Sequence, residues 1–127
     1  LGVRGMHHWC VNHAEKGQDP YANPADATPV NGDGMLLYPG KDGPVDSIRW
    51  ELLRDGIEDY DYLTILADRL RKARRKGAPA PLIAQAESAL NLETIVPNLT
   101  SFTRDTGILE SKRAEIARAI VALGSYR

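Results

Sequence analysis

Residues 5–13 read Gly-Met-His-His-Trp-Cys-Val-Asn-His, three histidines and the chain's single cysteine within nine positions. Imidazole and thiolate are favoured zinc ligands, so His7, His8, Cys10 and His13 raise a metal site first. They raise a Cys-His nucleophile–base pair second. On an extended strand, alternate side chains face opposite sides, which groups His8 with Cys10 and His7 with Trp9. Four ligands divided between two faces do not converge on one ion. No CxxC or HxxxH pattern elsewhere completes a set. Neighbours on one strand also rarely reach nucleophile–base geometry. The expectation is a half-buried strand with polar tips, holding no metal, no cofactor and no catalytic residue.

The elements that must position this stretch change character along the chain. At 127 residues the length suits one domain. The 16 basic and 17 acidic residues leave a net charge of −1, which argues neither for nucleic acid nor for anionic membrane, and neither is expected as a partner. A lone Cys10 forms no internal disulfide, so the redox compartment stays open. No apolar run nears the roughly 20 residues of a membrane span, and no signal-peptide pattern is present. The opening Leu1-Gly2-Val3-Arg4 reads as the interior of a longer protein.

Five of the eight prolines and seven glycines fall before residue 47, a density that suits short strands and loops. Strands are expected at Val3 to about Val11 and at Met35–Tyr38, with a long loop from Asn12 to Asp33. Two short strands do not make a stable sheet unaided. From Asp46 or Ser47 a helix is expected to about Lys76. Its apolar stripe is Ile48, Leu52, Leu53, Ile57, Tyr60, Leu63, Leu66 and Leu70. Gly56 inside it marks a bend or a close contact. Arg69, Arg71, Lys72, Arg74, Arg75 and Lys76 suit the negative end of the helix dipole, and Gly77 suits its stop. Asp68 is placed to pair with Lys72, so the basic run reads as a solvated helix end. A second helix is expected from Pro81 to Leu92 with Leu82, Ile83, Ala86 and Leu90 inward. A third runs from Ile108 to Leu123 with Leu109, Ile116, Ile120 and Leu123 inward. Asn98-Leu99-Thr100 is a formal glycosylation sequon and carries no weight.

The most specific segment is residues 31–63, NGDGMLLYPGKDGPVDSIRWELLRDGIEDYDYL. It holds Gly32-Asp33-Gly34, Tyr38-Pro39-Gly40, Ser47-Ile48-Arg49 and Arg54-Asp55-Gly56-Ile57-Glu58-Asp59-Tyr60. With Gly5-Met6-His7-His8-Trp9 upstream, it resembles the C-terminal part of the catalytic domain of glycoside hydrolase family 123 and its uncharacterised relatives. Histidines stand at two positions that are usually apolar or aromatic in that family.

The resemblance implies an α/β fold: the C-terminal portion of a (β/α)8-type barrel with one or two short strands, followed by a mainly α-helical extension. Residues 1–76 would be the end of the barrel, and residues 77–127 the helical extension. Barrel active sites lie at the C-terminal ends of strands, which places Trp9 and Asn12 at a carbohydrate substrate. Trp9 would be a sugar platform and Asn12 a hydroxyl contact. The family's chemistry implies hydrolysis of β-linked N-acetylgalactosamine, with the substrate's acetamido group as nucleophile. An adjacent Asp-Glu pair would serve it, and this sequence holds no Asp-Glu dipeptide. The catalytic carboxylates would then lie in a missing N-terminal part of the same chain, and these residues alone would be inactive. Arg49, Glu51, Arg54, Asp55, Glu58 and Asp59 read as a capping and ion-pair network tying the helix to the barrel. The resemblance further implies a secreted or periplasmic bacterial enzyme. The alternative is a non-catalytic helical interaction or carbohydrate-binding module that kept the motif for packing.

Overall fold

The computed structural model describes residues 5–13, 17, 19–23 and 32–126. It is a mixed α/β arrangement of a small two-stranded sheet and three helices. The chain divides into two compact units, Leu1–Asp55 and Gly56–Arg127.

The first unit is built on a hairpin. Strand β1 (Leu37–Pro39) pairs antiparallel with β2 (Pro44–Asp46) in the register Leu37↔Asp46, Tyr38↔Val45 and Pro39↔Pro44. The prolines cost little at this last pair, because a strand end loses few ladder hydrogen bonds. Gly40 to Gly43 make the turn. A Cβ on Gly40 would lie 2.4 Å from the Gly43 carbonyl oxygen, closer than any side chain tolerates, so the turn requires glycine there. Met35 and Leu36, leading into β1, are buried together with Ser47.

The strand expected from Val3 to Val11 does not form over the described residues 5–11; residues 3 and 4 lie outside them. A strand requires a hydrogen-bonded neighbour along its length, and here only its end has one. The Val11 carbonyl accepts from the Leu36 and Leu37 amides, both at 2.8 Å, and Asn12 bridges Met35. The His13 amide donates to the Gly34 carbonyl at 2.8 Å. Burial still alternates as a strand would: His7 and Trp9 are exposed, His8 and Cys10 half-buried.

Helix α1 (Ile48–Arg75) starts where the Ser47 hydroxyl accepts the Trp50 amide, so Ser47 rather than Asp46 is the cap. It ends on Gly77 at φ +70°, with the Gly77 amide donating to the Arg74 carbonyl and the Ala78 amide to that of Ala73. That double bond pattern closes the last turn and explains the glycine. Asp68 pairs with Lys72 at 2.8 Å and also with Arg71. The Lys72 ammonium, with Arg71 assisting, holds the Asp68 carboxyl below its ordinary value.

The second unit joins the rest of α1 to α2 (Ala80–Leu90) and α3 (Thr106–Ala122), followed by a short 3₁₀ turn, Gly124–Tyr126. Pro81 sits in the first turn of α2, where a missing N–H costs nothing. The Asp105 carboxylate caps α3, accepting the Gly107 and Ile108 amides at 2.8 and 3.3 Å. Leu66, Leu70 and Ala73 pack with Ala86 and Ala89 of α2, Ile116 and Ala119 of α3, and Leu123. The alanines let the helices approach closely while the leucines fill the space between them. Arg113 of α3 grips Asp59 of α1 with two bonds, 2.7 and 2.8 Å, and also holds Glu110. These carboxylates, Asp59 first, push the Arg113 guanidinium further above its already high ordinary pKa. Among the described residues, no helix is long and apolar enough to cross a membrane.

The expected stripe of α1 is therefore buried in only one half. Leu66 and Leu70 are inside and Leu63 packs against them. Ile48, at 70 % exposure, and Leu52, Ile57 and Tyr60 lie exposed, because none of the described residues covers them.

Helix α1 runs unbroken through Gly56, and a Cβ there would meet nothing within 4 Å. Close packing against the described residues does not demand the glycine. Gly56→Ala is expected to stabilise the fold by about 0.5–1 kcal/mol through backbone entropy. Thermal denaturation followed by circular dichroism should show a melting temperature higher by a few degrees.

Candidate functional site

The Gly32-Asp33-Gly34 motif forms a tight turn with both glycines in the left-handed region, at φ +78° and +71°. Each glycine also makes room for a particular neighbour. A Cβ on Gly34 would fall 2.7 Å from Trp9 Cζ2 and 3.0 Å from His13 Cβ. A Cβ on Gly32 would fall 2.6 Å from Arg49 Cζ. Conformation favours glycine at both positions, and at Gly34 contact with the indole demands it as well, while at Gly32 a Cβ would push aside the Arg49 guanidinium. Between them, the Asp33 carboxylate accepts a hydrogen bond from Trp9 Nε1 at 3.0 Å.

Trp9 is held at its edge and open elsewhere. The indole N–H is fixed by Asp33, one end of the ring abuts Gly34, and the ring meets the His13 imidazole at 4.9 Å and 57°. Even so the residue is 52 % exposed. An aromatic ring that is orientationally fixed yet half in water has its binding entropy largely spent in advance. Asn12 is exposed, and its backbone bridges Met35, so it sits on the same support as Trp9.

The four residues weighed as metal ligands do not gather. His7 is exposed, Cys10 is half-buried, and His13 meets the Trp9 ring at a tilt. His8 Nε2 is buried without a hydrogen-bond partner. No group of three or more His, Cys, Asp or Glu side chains comes together among the described residues.

On the other side of the turn stands Arg49, in the first turn of α1. Its Nε donates to the Met35 carbonyl at 3.0 Å and its Nη2 to the Tyr38 hydroxyl at 2.7 Å. Its guanidinium also lies 5.6 Å from the centre of the Tyr38 ring. Tyr38 in turn meets Tyr21, with ring centres 5.2 Å apart, and the Tyr21 hydroxyl donates to the Pro39 carbonyl at 2.9 Å. Arg49 therefore works inside the first unit, joining helix, turn and hairpin. The other charged residues of the motif divide between two tasks. Arg54 pairs with Glu51 at 2.7 Å along the helix, while Asp59 is taken by Arg113 of α3.

Trp9 and Asn12 were the positions picked from the sequence as sugar contacts. Asp33 and His13, which contact the Trp9 ring, were not. The signal was present in the glycines of Gly32-Asp33-Gly34, since paired glycines flanking an acid mark a backbone that passes close to large side chains.

Gly34→Ala should disrupt this arrangement, combining a left-handed backbone cost of about 1–2 kcal/mol with a clash against the indole. In a Trp50→Phe background, where Trp9 is the sole indole, its emission should shift to the red and its anisotropy should drop. The melting temperature should fall with them. Unchanged emission would mean that the ring is not seated on this turn.

The model of the catalytic domain of glycoside hydrolase 123 matches residues 1–66, just over half of the chain. No curated protein and no solved structure matches it. The matched stretch contains Trp9, the glycine-acid-glycine turn, the hairpin, Arg49 and the Arg54–Tyr60 segment of α1, consistent with a fragment of that domain. On the extent of this match, the chain belongs to the glycoside hydrolase 123 catalytic-domain family.

Proposed function

We propose that this chain is the C-terminal part of a glycosidase acting on β-linked N-acetylhexosamine of the N-acetylgalactosamine type, with Trp9 as sugar platform and Asn12 as hydroxyl contact. Membership of the family supports glycoside hydrolysis and a carbohydrate substrate. The observation that carries the site is Trp9 itself, fixed by Asp33 and Gly34 while its ring stays half exposed. A pyranose offers an apolar C–H face of about the size of an indole ring, and stacking of that kind selects a ring without reading its hydroxyls. Hydroxyl recognition then falls to polar neighbours such as Asn12.

The chemistry on this reading is substrate-assisted. The acetamido oxygen attacks the anomeric carbon, one carboxyl group orients the acetamido, and a second protonates the leaving oxygen. These residues contain no Asp-Glu pair, so both carboxyl groups come from the remainder of the barrel domain. Two features are in keeping with such a remainder. The stretch 7–11 alternates in burial like a strand but is bonded only at its end. The apolar stripe of α1 is uncovered at Ile48 and Leu52, as a helix face made for a neighbouring sheet would be. Residues 1–76 are then the close of the barrel, and residues 77–127 an extension that ties back onto α1.

Residues 1–127 alone should not hydrolyse an aryl β-N-acetylgalactosaminide above background, whereas the complete enzyme should. Robust turnover by the isolated chain would defeat the proposal, since it would place a whole catalytic apparatus here.

In the complete enzyme, Trp9→Ala should lower kcat/KM by ten- to a hundredfold. That corresponds to roughly 1–3 kcal/mol of lost stacking, by analogy with base–aromatic stacking. A purely structural Trp9 predicts another pattern, with a stability loss of about 3–5 kcal/mol and activity lost only through unfolding. Melting temperature and kcat/KM measured on the same variant separate the two.

A further inference from the structure

A carboxylate offers about four lone-pair sites on two oxygens and donates nothing. At Asp33 one of these takes the Trp9 indole N–H, through Oδ1 at 3.0 Å. Among the described residues no other donor reaches this carboxylate, and Asp33 is only half-buried. An indole N–H points outward in the plane of its ring, so the acceptor sits at the ring's edge. The two oxygens share one carbon, so Oδ2 lies at that edge as well. Trp9 in turn has its single polar atom engaged and presents only ring surface, half of it open. An apolar face with unfilled acceptors along one edge is therefore held together as a unit by one hydrogen bond.

That pairing selects its ligand. Orienting an indole takes one acceptor, which a neutral amide or carbonyl would supply; the remaining capacity of Asp33 is left for a donor from outside. An anion on the ring would be repelled by the carboxylate. A wholly apolar ligand would strip water from it without replacing the hydrogen bonds. A pyranose stacked on the ring face carries its hydroxyls outward past the edge, where one of them can donate to Asp33. Such a bond is charge-assisted, shorter and stronger than one between neutral groups.

We propose that Asp33 is a specificity-determining residue, seating Trp9 through Oδ1 while its free lone pairs accept one hydroxyl of the sugar stacked there. The proposal rests on the glycosidase reading above and adds to it a direct hydroxyl contact by a residue that also sets the platform's orientation.

The test is made in the complete enzyme, by measuring kcat/KM on an aryl β-N-acetylgalactosaminide and on its 3-deoxy, 4-deoxy and 6-deoxy forms. Asp33→Asn keeps the shape and a carbonyl oxygen for the indole but removes the charge. It should cost about tenfold on the parent substrate, the size expected of one hydrogen bond to a charged group. On one of the three deoxy substrates, which lacks the hydroxyl that Asp33 accepts, that cost should vanish, while it stays on the other two. A residue that merely seats the indole gives no such pattern, because a displaced platform slows all four substrates alike. The tenfold cost on the parent should also persist in a Trp9→Phe background, where no indole N–H is left to hold. A uniform cost across the four substrates, or no cost in the Trp9→Phe background, would overturn the hydroxyl contact and leave the platform and the glycosidase reading standing. So would a wild-type enzyme that turns over all three deoxy forms as fast as the parent, a result that needs no variant to fold. No turnover of any of the four by the wild-type enzyme would sink the contact together with the glycosidase reading.

Discussion

Arg49 is the joint on which the first unit depends. A two-stranded hairpin is at best marginal in water, and the one here is three residues long on each side. Its position is set because one guanidinium donates to the Met35 carbonyl before β1 and to the Tyr38 hydroxyl within it, while its backbone belongs to the first turn of α1. Lysine could not replace it. An ammonium on a flexible stem has no planar fork to reach two acceptors at fixed angles while covering an aromatic ring. The guanidinium lies close to the Gly32 backbone, so a side chain there would have to displace it, and the φ of +78° itself favours glycine.

The candidate site inherits its geometry from that joint. Because Gly32 is seated on Arg49, the turn it opens is fixed, and Gly34 two residues later presents a bare backbone to the indole edge of Trp9. Asp33 between them supplies the hydrogen bond that sets the indole's rotation. Glycine, acid and glycine are thus one device. The first approaches the arginine, the second holds the tryptophan, and the third clears space for it. A polar group that orients a large apolar ring without burying it is what a stacking surface demands, since burial would fix the ring equally well but leave nothing to bind with.

The helices were largely legible in the sequence and the site's supports were not. Local rules place α1, α2 and α3 within a few residues: three-and-four spacing, a Ser47 cap, prolines at the start of α2, Gly77 past the end of α1. Strand β2 escaped notice because Pro44-Val45-Asp46 has no alternation to detect; it exists because the Gly40–Gly43 turn folds it back on β1. The strand at 3–11 was inferred from composition, but a ladder is a property of two chains' worth of backbone, and only residues 11–13 find one here. The Trp9–Asp33 bond joins positions 24 apart, and no periodicity encodes such a contact. The glycines that permit it were visible only as a motif.

The one disagreement that runs through the whole helix is also the most informative. The apolar stripe of α1 is continuous in sequence from Ile48 to Leu70, yet its burial stops short. Leu66 and Leu70 are enclosed by α2 and α3, whereas Ile48, Leu52 and Ile57 face water. Single exposed apolar residues are ordinary on protein surfaces. Ile48 and Leu52 lie on the same side of α1 as Leu66 and Leu70 and continue the stripe that those two bury, whereas Ile57 lies on the opposite side from Ile48. Periodicity states that a face is to be covered and says nothing of what covers it. On the proposed reading the two halves of α1 answer to different neighbours: the helical extension, gripped through Asp59 and Arg113, and the sheet of the barrel. The Arg54–Tyr60 segment sits where those two demands meet. Its charges divide accordingly, with Arg54 turned back along the helix to Glu51 and Asp59 committed to α3.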